Sequence, residues 1–247
     1  MYNPYSLKGK TILITGASAG IGRATAIECS KLGAEVIITA RNHNKLQETL
    51  GMLEGDGHQM VICDLQDEEQ INTLVETLPS INGLVNNAGV NKLVPIQFLK
   101  ENDLQTVLKV NTISPIMLLQ RSLKKKKLLQ SSSVVFTSSI AAIGSTAVGE
   151  AIYTASKGAI SSFVKEAAQE LAKKQIRVNA VCPGMVKTDM SDSYDLNNGE
   201  NEDLSNYPLG RYAEPREIAL AIAYLLSDAA SWVTGTNLII DGGLTTK

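Results

Sequence analysis

The chain has 247 residues, 44% of them hydrophobic and 19% charged, with a formal net charge of -2. That length is enough to bury a substantial core in one α/β domain, and the near balance of charge excludes the broad basic surface that nucleic acid binding requires. Three scattered cysteines, Cys29, Cys63 and Cys182, match neither a disulfide framework nor a zinc cluster, so no metal is expected; with no signal-peptide apolar region and no bilayer-length apolar run, the expectation is a cytoplasmic protein that does not engage membranes.

Residues 10–15 form a short apolar run that ends at Gly16-Ala17-Ser18-Ala19-Gly20-Ile21-Gly22, and 24–31 reads as a helix. A strand, a glycine turn and a helix in that order aim backbone N–H groups and a helix N-terminus at an anion, which suits a pyrophosphate. The spacing of Gly16, Gly20 and Gly22 is neither Gly-x-Gly-x-x-Gly nor the Walker pattern. The same stretch spells Gly-x-Ser-x-Gly, the nucleophile elbow of α/β hydrolases. That fold needs several strands before its elbow and an acid then a histidine after it. Here one strand precedes, and the only histidines, His43 and His58, follow soon after, so the dinucleotide reading is preferred.

Residues 35–39 read as a second strand ending at Ala40-Arg41-Asn42. At that place an acid accepts the ribose 2′-hydroxyl and an arginine accommodates a 2′-phosphate, so Arg41 favours NADP(H), with NAD(H) kept open. Residues 44–53 look helical, and 59–63 form a third strand ending at Asp64-Leu65, where the Asp64 carboxylate can accept from an adenine amino group. A helix N-cap role is open to Asp64 or Asp67. An amphipathic segment over 67–78 leads to a fourth strand, 83–85, which runs into Asn86-Asn87-Ala88-Gly89. Strands alternating with helices predict a single-domain α/β fold over 1–247, a Rossmann-like doubly wound parallel sheet with helices on both faces.

Residues 102–127 read as one long helix carrying Asn111, disturbed near Pro115, which lacks an N–H. The basic run at 124–127 suits a solvated helix end. Residues 131–133 read as a connector and 134–137 as a fifth strand that delivers Ser138 and Ser139 where ligands of open α/β sheets bind. Ile160, Phe163, Val164, Ala167 and Leu171 recur at helical spacing, so Tyr153 falls in the first turn of a helix with Lys157 on the same face. A free phenol has a pKa of about 10, and lowering it by two units takes about 2.7 kcal/mol. A positive charge about 5 Å away, at an effective dielectric near 20, supplies about 3 kcal/mol, which predicts that Lys157 makes Tyr153 a working acid and base. Taken alone, the pair also describes a core-edge tyrosine beside a solvated lysine. A sixth strand, 177–181, stops at Cys182-Pro183-Gly184. The acidic stretch 185–211 suits a lid over the site, 214–226 a helix, and 238–241 a last strand before Gly242-Gly243.

Together these motifs resemble the short-chain dehydrogenase/reductase family over nearly the whole chain, and most closely its β-ketoacyl-acyl-carrier-protein reductases. The matching features are Thr15-Gly16 to Gly22, Asn86 to Gly89, Asn111, Ser139, Tyr153 with Lys157, Pro183-Gly184 and the Asp241-Gly242-Gly243 ending. The resemblance implies that Tyr153 donates the proton in reduction and that Ser139 orients the carbonyl. Lys157 would bind the nicotinamide ribose and depress the tyrosine pKa, and Asn111 would hold a water leading from Lys157 to solvent. It further implies that Ser18 and Ile21 sit at the pyrophosphate, Asp64 and Leu65 near adenine, Asn87 and Ala88 near the adenosine ribose, and Thr188 near the carboxamide. Gly89, Pro183 and Gly184 complete the coenzyme-contacting set.

There are two departures. The interval from Ser139 to Tyr153 is 14 residues, one longer than the family's commonest, which keeps Ser138 as a competitor. Ala19 stands where many NADP-preferring members carry a basic residue, which leaves the phosphate mainly to Arg41. The function implied is NADPH-dependent reduction of a small-molecule or carrier-bound carbonyl, foremost a 3-oxoacyl thioester, with the lysines at 124–127 and 173–174 as contacts for an acidic carrier. The alternatives are a sugar, polyol, steroid or xenobiotic ketone reductase, and a non-catalytic NADP(H)-binding scaffold. The family habit also implies a homo-oligomer, dimer or tetramer, joined through the helices at 102–127 and 151–174.

Overall fold

In a computed structural model, which describes residues 2–144, 147–188, 190 and 204–246, the apolar runs become seven parallel strands of one sheet. These are β1 (Thr11–Thr15), β2 (Glu35–Ala40), β3 (Gln59–Ile62), β4 (Ile81–Asn86), β5 (Leu128–Thr137), β6 (Arg177–Pro183) and β7 (Asn237–Ile240). Their order is β3-β2-β1-β4-β5-β6-β7. The chain winds outward from β1, returns, and winds the other way from β4, so a crevice opens beyond the C-terminal ends of β1 and β4.

Helices α1 (Gly20–Lys31), α2 (His43–Leu50), α3 (Glu68–Thr77), α4 (Glu101–Leu108), α5 (Ser114–Lys124), α6 (Ala151–Leu171) and α7 (Pro215–Leu226) cover both faces. Successive strand residues face opposite layers, and here both layers are apolar. Leu13, Ile37, Leu84, Val134 and Phe136 pack with Leu74 of α3, Leu118 of α5 and Val164 of α6. Ile12, Ile14, Ile38, Val85 and Val135 pack with Ala26 of α1, Leu46 of α2 and Ile222 of α7. All three cysteines are buried and free.

The helix expected over 102–127 is three pieces. Between α4 and α5 lies a π-helical turn (Lys109–Ile113), in which the Ser114 N–H bonds the Lys109 carbonyl. Pro115 offers no N–H to the Asn111 carbonyl, so the ladder widens just ahead of the proline instead of breaking at it. Asn111, 2% exposed, sits in this widened turn. The helix also stops at Lys124, and the chain reverses through Lys126 with φ 56. Lys125 pairs with Glu76 at 3.1 Å, and the Lys127 ammonium donates to the Glu76 and Leu78 carbonyls.

Residues 131–133, expected as a connector, belong to β5. Their hydroxyls looked like loop chemistry, but buried backbone acceptors satisfy two of them: Ser132 donates to the Ile81 carbonyl and Ser133 to the Leu225 carbonyl at 2.8 Å. Asp67 caps α3, accepting from the Glu69 and Gln70 N–H groups, which leaves Asp64 outside the helix. The lid expected at 185–211 falls largely on residues 189 and 191–203, which lie outside the described residues. Among the described residues no helix is long and apolar enough to cross a membrane.

Candidate active site

A cavity of about 810 Å³ occupies the crevice beyond the strand ends, a volume suited to a bound small molecule. Two of its walls are tied together from behind by Thr15, the last residue of β1. The Thr15 hydroxyl donates to the Val85 carbonyl and accepts from the N–H groups of Asn87 and Ala88, which joins the start of the glycine turn to the end of β4. The Asn87 side chain returns a bond to the Thr15 carbonyl at 3.2 Å and accepts from the Thr137 hydroxyl. The turn then packs so tightly that two of its glycines admit no side chain. At Gly16, with φ +66, a Cβ would lie 2.8 Å from the Ala88 Cα, and at Gly22 it would lie 2.2 Å from the Gly16 carbonyl oxygen.

The α1 N-terminus faces this cavity, and its N-cap, Ala19, contributes no side-chain hydrogen bond. First-turn N–H groups left without a capping side chain, beside a turn with no Cβ in the way, fit the pyrophosphate of a dinucleotide. Ser18 has another tie: its carbonyl accepts from the Arg23 guanidinium at 2.6 Å. The histidines are elsewhere. His58 bonds the Val36 N–H and the Glu54 carbonyl, so Ser18 has no hydrolase partner there.

At the far end Arg41 and Asp64 flank the cavity with their charges 4.0 Å apart, both well exposed. Lys45, in the first turn of α2, lines the same end. This end of the cavity therefore carries two cations, Arg41 and Lys45, beside the Asp64 carboxylate.

At the other end, β5 and α6 assemble a cluster of hydroxyls and one ammonium. Ser138 and Ser139 differ sharply. The Ser138 hydroxyl is 2% exposed and engaged with the Lys157 carbonyl at 3.0 Å and the Ser161 hydroxyl at 2.7 Å. The Ser139 hydroxyl lines the cavity, accepts from the Ala141 N–H at 3.2 Å and stands near enough to the Tyr153 phenol to lower its pKa. Lys157 is buried and donates to the Thr137 carbonyl at 2.7 Å, with its Nζ 5.7 Å from the Tyr153 ring centroid. Asn111 is fixed behind it, accepting from the Val90 N–H at 2.8 Å and donating to the Val90 carbonyl and the Ser156 hydroxyl.

Here the electrostatics depart from expectation. Burial pushes the Tyr153 phenol up to about 12, with the Ser139 hydroxyl pulling down and the Glu150 charge pushing further up. Lys157 is not the controlling influence, because burial weakens the ammonium itself and brings it from 10.5 down to about 8. At neutral pH the pair is a neutral phenol beside an ammonium.

Every residue singled out from sequence for coenzyme or carbonyl lines this cavity, apart from Gly22 and Asn111, which stand behind its wall. Sequence reasoning missed Lys45, whose signal was a cation shortly after Arg41. It also missed Glu150, Tyr207 and Tyr212, which line the cavity from segments with no motif, and Ser156, which meets Asn111 across 45 positions of sequence.

The family model described as Enoyl-(Acyl carrier protein) reductase matches residues 16–245. A 3-oxoacyl-[acyl-carrier-protein] reductase of Rickettsia felis is 37% identical over 239 residues, spanning 96% of this chain and 98% of that protein. Among solved structures, a proposed NAD(P) dependent gluconate 5-dehydrogenase from Beutenbergia cavernae, with NADP bound at low occupancy, superimposes with a TM-score of 0.91 at 29% identity, covering 99% of this chain and 100% of that one. A proposed 2-deoxy-d-gluconate 3-dehydrogenase from Agrobacterium tumefaciens with bound NADP gives 0.90 at 30% identity over 100% of both chains.

Proposed function

The chain belongs to the short-chain dehydrogenase/reductase family and is an NAD(P)(H)-dependent oxidoreductase acting on CH–OH and C=O groups; from that premise we propose that it reduces the 3-oxo group of an acyl thioester, with NADPH preferred. The observation that carries the reading is the meeting of the Ser139 and Tyr153 hydroxyls in the same cavity as the glycine turn and Lys157. The thioester is supported by the 3-oxoacyl reductase relatives, which match over nearly their full length. NADPH is supported by Arg41 and Lys45 at the far end of the cavity.

In this reading the glycine turn and the α1 N-terminus hold the pyrophosphate, and Arg41 with Lys45 holds the 2′-phosphate. Asp64, Leu65, Asn87, Ala88 and Gly89 line the adenosine side, and Pro183, Gly184 and Thr188 the nicotinamide side. The reducing equivalent at the carbonyl carbon comes from NADPH when it is bound. Ser139 and Tyr153 donate to the carbonyl oxygen and stabilise the charge that develops there. A phenol raised to about 12 keeps its proton until that charge appears. It then yields it, because an alkoxide is a far stronger base than a phenolate. The Lys157 ammonium stabilises the phenolate left behind, and Asn111 keeps the lysine's surroundings in register through Val90 and Ser156.

The two lysine runs add no support within one chain. Lys126, Lys173 and Lys174 do converge on a shallow groove, but at the N-terminal edge of the sheet, with the strand length from Ile81 to Asn86, about 20 Å, between it and the cavity. A second reading, oxidation or reduction of a sugar acid, is favoured by the likeness to the proposed gluconate-type dehydrogenases. A non-catalytic scaffold is disfavoured, since it has no need of Ser139, Tyr153, Lys157 and Asn111 together. We also read the protein as a cytoplasmic homo-oligomer; a monomer by light scattering would refute the assembly. The deciding experiment compares kcat/KM with NADPH for an acetoacetyl thioester and for a panel of keto-sugars, keto-acids and ketones. The thioester is expected to lead, and turnover of the panel without the thioester would overturn the choice.

A further inference from the structure

Apart from Lys157, the charged side chain at the Tyr153 end of the cavity, among the described residues, is Glu150. It is 9% exposed and lies one helical turn before Tyr153, at the N-cap of α6. Its carboxylate is not free to swing away, because Oε2 accepts from the Ala147 N–H at 3.1 Å while its own carbonyl receives the Thr154 N–H at 2.8 Å. We infer that Glu150 is a specificity-determining residue: it admits carbonyl compounds whose groups flanking the reacting carbon are uncharged, such as thioesters, esters and simple ketones, and rejects carboxylates at that place. The inference rests on reading this cavity as the carbonyl-reducing site.

The charge of Glu150 already acts on the Tyr153 oxygen, where it disfavours a second negative charge. A substrate carboxylate near the reacting carbon enters the same field. Two like charges about 7 Å apart, at an effective dielectric of about 20, repel enough to lower affinity by about 50-fold. Lys157 reduces this without removing it: its ammonium is held at the Thr137 carbonyl, and the charge that bears on the Tyr153 oxygen in the coenzyme-free site is that of Glu150. Among the described residues the rest of this end, including Val90, Ile140, Met185 and Tyr207, offers no further cation. A helix N-terminus also stabilises a carboxylate, so a purely structural role for Glu150 is the competing account.

Glu150→Gln separates the two, since the amide oxygen can still accept from the Ala147 N–H while the charge is gone. The pair to compare is ethyl acetoacetate and acetoacetate with NADPH. Wild type is expected to favour the ester by about 50-fold in kcat/KM, and the ratio should shrink at least about 10-fold in the variant, chiefly through a gain on acetoacetate. An unchanged ratio, with both substrates falling together, would overturn the inference, as would a wild type that prefers the carboxylate. Calorimetry of acetoacetamide and acetoacetate binding to the NADP⁺-loaded enzyme gives the same comparison without turnover. Inactivity on thioesters with this binding preference intact refutes the proposed substrate and upholds the role of Glu150. Equal binding of the two ligands by wild type refutes the role of Glu150, whatever is turned over.

Discussion

Lys157→Met should make the coenzyme-free protein more stable while disabling it. The wild-type ammonium is buried, and the difference between 10.5 and about 8 measures what burial costs it. At about 1.4 kcal/mol per pH unit that is about 3 kcal/mol, partly offset by its hydrogen bond to the Thr137 carbonyl, worth about 1 kcal/mol. Methionine has a similar length and no charge, so a net gain of about 2 kcal/mol follows. For a chain of this size that raises Tm by about 4–8 °C. The folded-state pKa lies below the unfolded one, so as pH falls from 10.5 to about 8 the unfolded chain takes up a proton that the folded chain refuses. The cost to wild type is therefore complete below about pH 8 and disappears above about 10.5. Thermal unfolding of both proteins without coenzyme at pH 7 and at pH 10 measures it: a variant melting higher at pH 7, with the gap closing at pH 10, is expected. A variant melting lower than wild type at pH 7, or a gap that ignores pH, would refute the reasoning that a desolvated ammonium is held in the site.

Ser139→Ala should reduce kcat by about 100-fold or more, as loss of a donor to a developing oxyanion does, with KM for NADPH unchanged. Ser138→Ala should instead lower Tm, because its hydroxyl braces Lys157 and Ser161; steady-state kinetics beside a melting curve separates the two. Arg41→Ala should raise KM for NADPH at least about 10-fold and leave KM for NADH nearly unchanged, and a parallel rise in both would remove the 2′-phosphate assignment. Gly22→Ala should abolish coenzyme binding by fluorescence titration, because its Cβ would stand 2.2 Å from the Gly16 carbonyl oxygen. Unaltered binding would mean that the turn does not have the described shape.

The sheet was legible because its central strands are buried on both faces, so runs such as Ile12 to Ile14 and Val36 to Ile38 are continuously apolar and bounded by punctuation. The start of β5 was not, because Ser131, Ser132 and Ser133 carry loop residues' chemistry and only tertiary acceptors on β4 and α7 make a strand of them. Pro115 announced a disturbance without giving its form, since a proline allows either a break or a widened turn, and the widened turn is what places Asn111 beside Ser156. In the site, the glycines and the Tyr153/Lys157 pair could be read from local spacing. The tyrosine's acidity could not. Spacing gives the distance of a neighbouring charge but not the solvent lost by both groups, and burial outweighs the charge here. Glu150 was missed for a similar reason: an acid in a glycine-rich loop carries no pattern until the fold turns it toward Tyr153.

The most direct test follows the hydrogen and the proton in one reaction, using NADPH deuterated at its transferable position and an acetoacetyl thioester, with wild type and Tyr153→Phe. Mass spectrometry of the wild-type product should find deuterium on the carbinol carbon. The variant, with coenzyme binding retained, should form that product about 100- to 10,000-fold more slowly. Product without deuterium, or a phenylalanine variant as fast as wild type, would contradict the claim that this cavity joins a nicotinamide coenzyme to a phenolic proton donor.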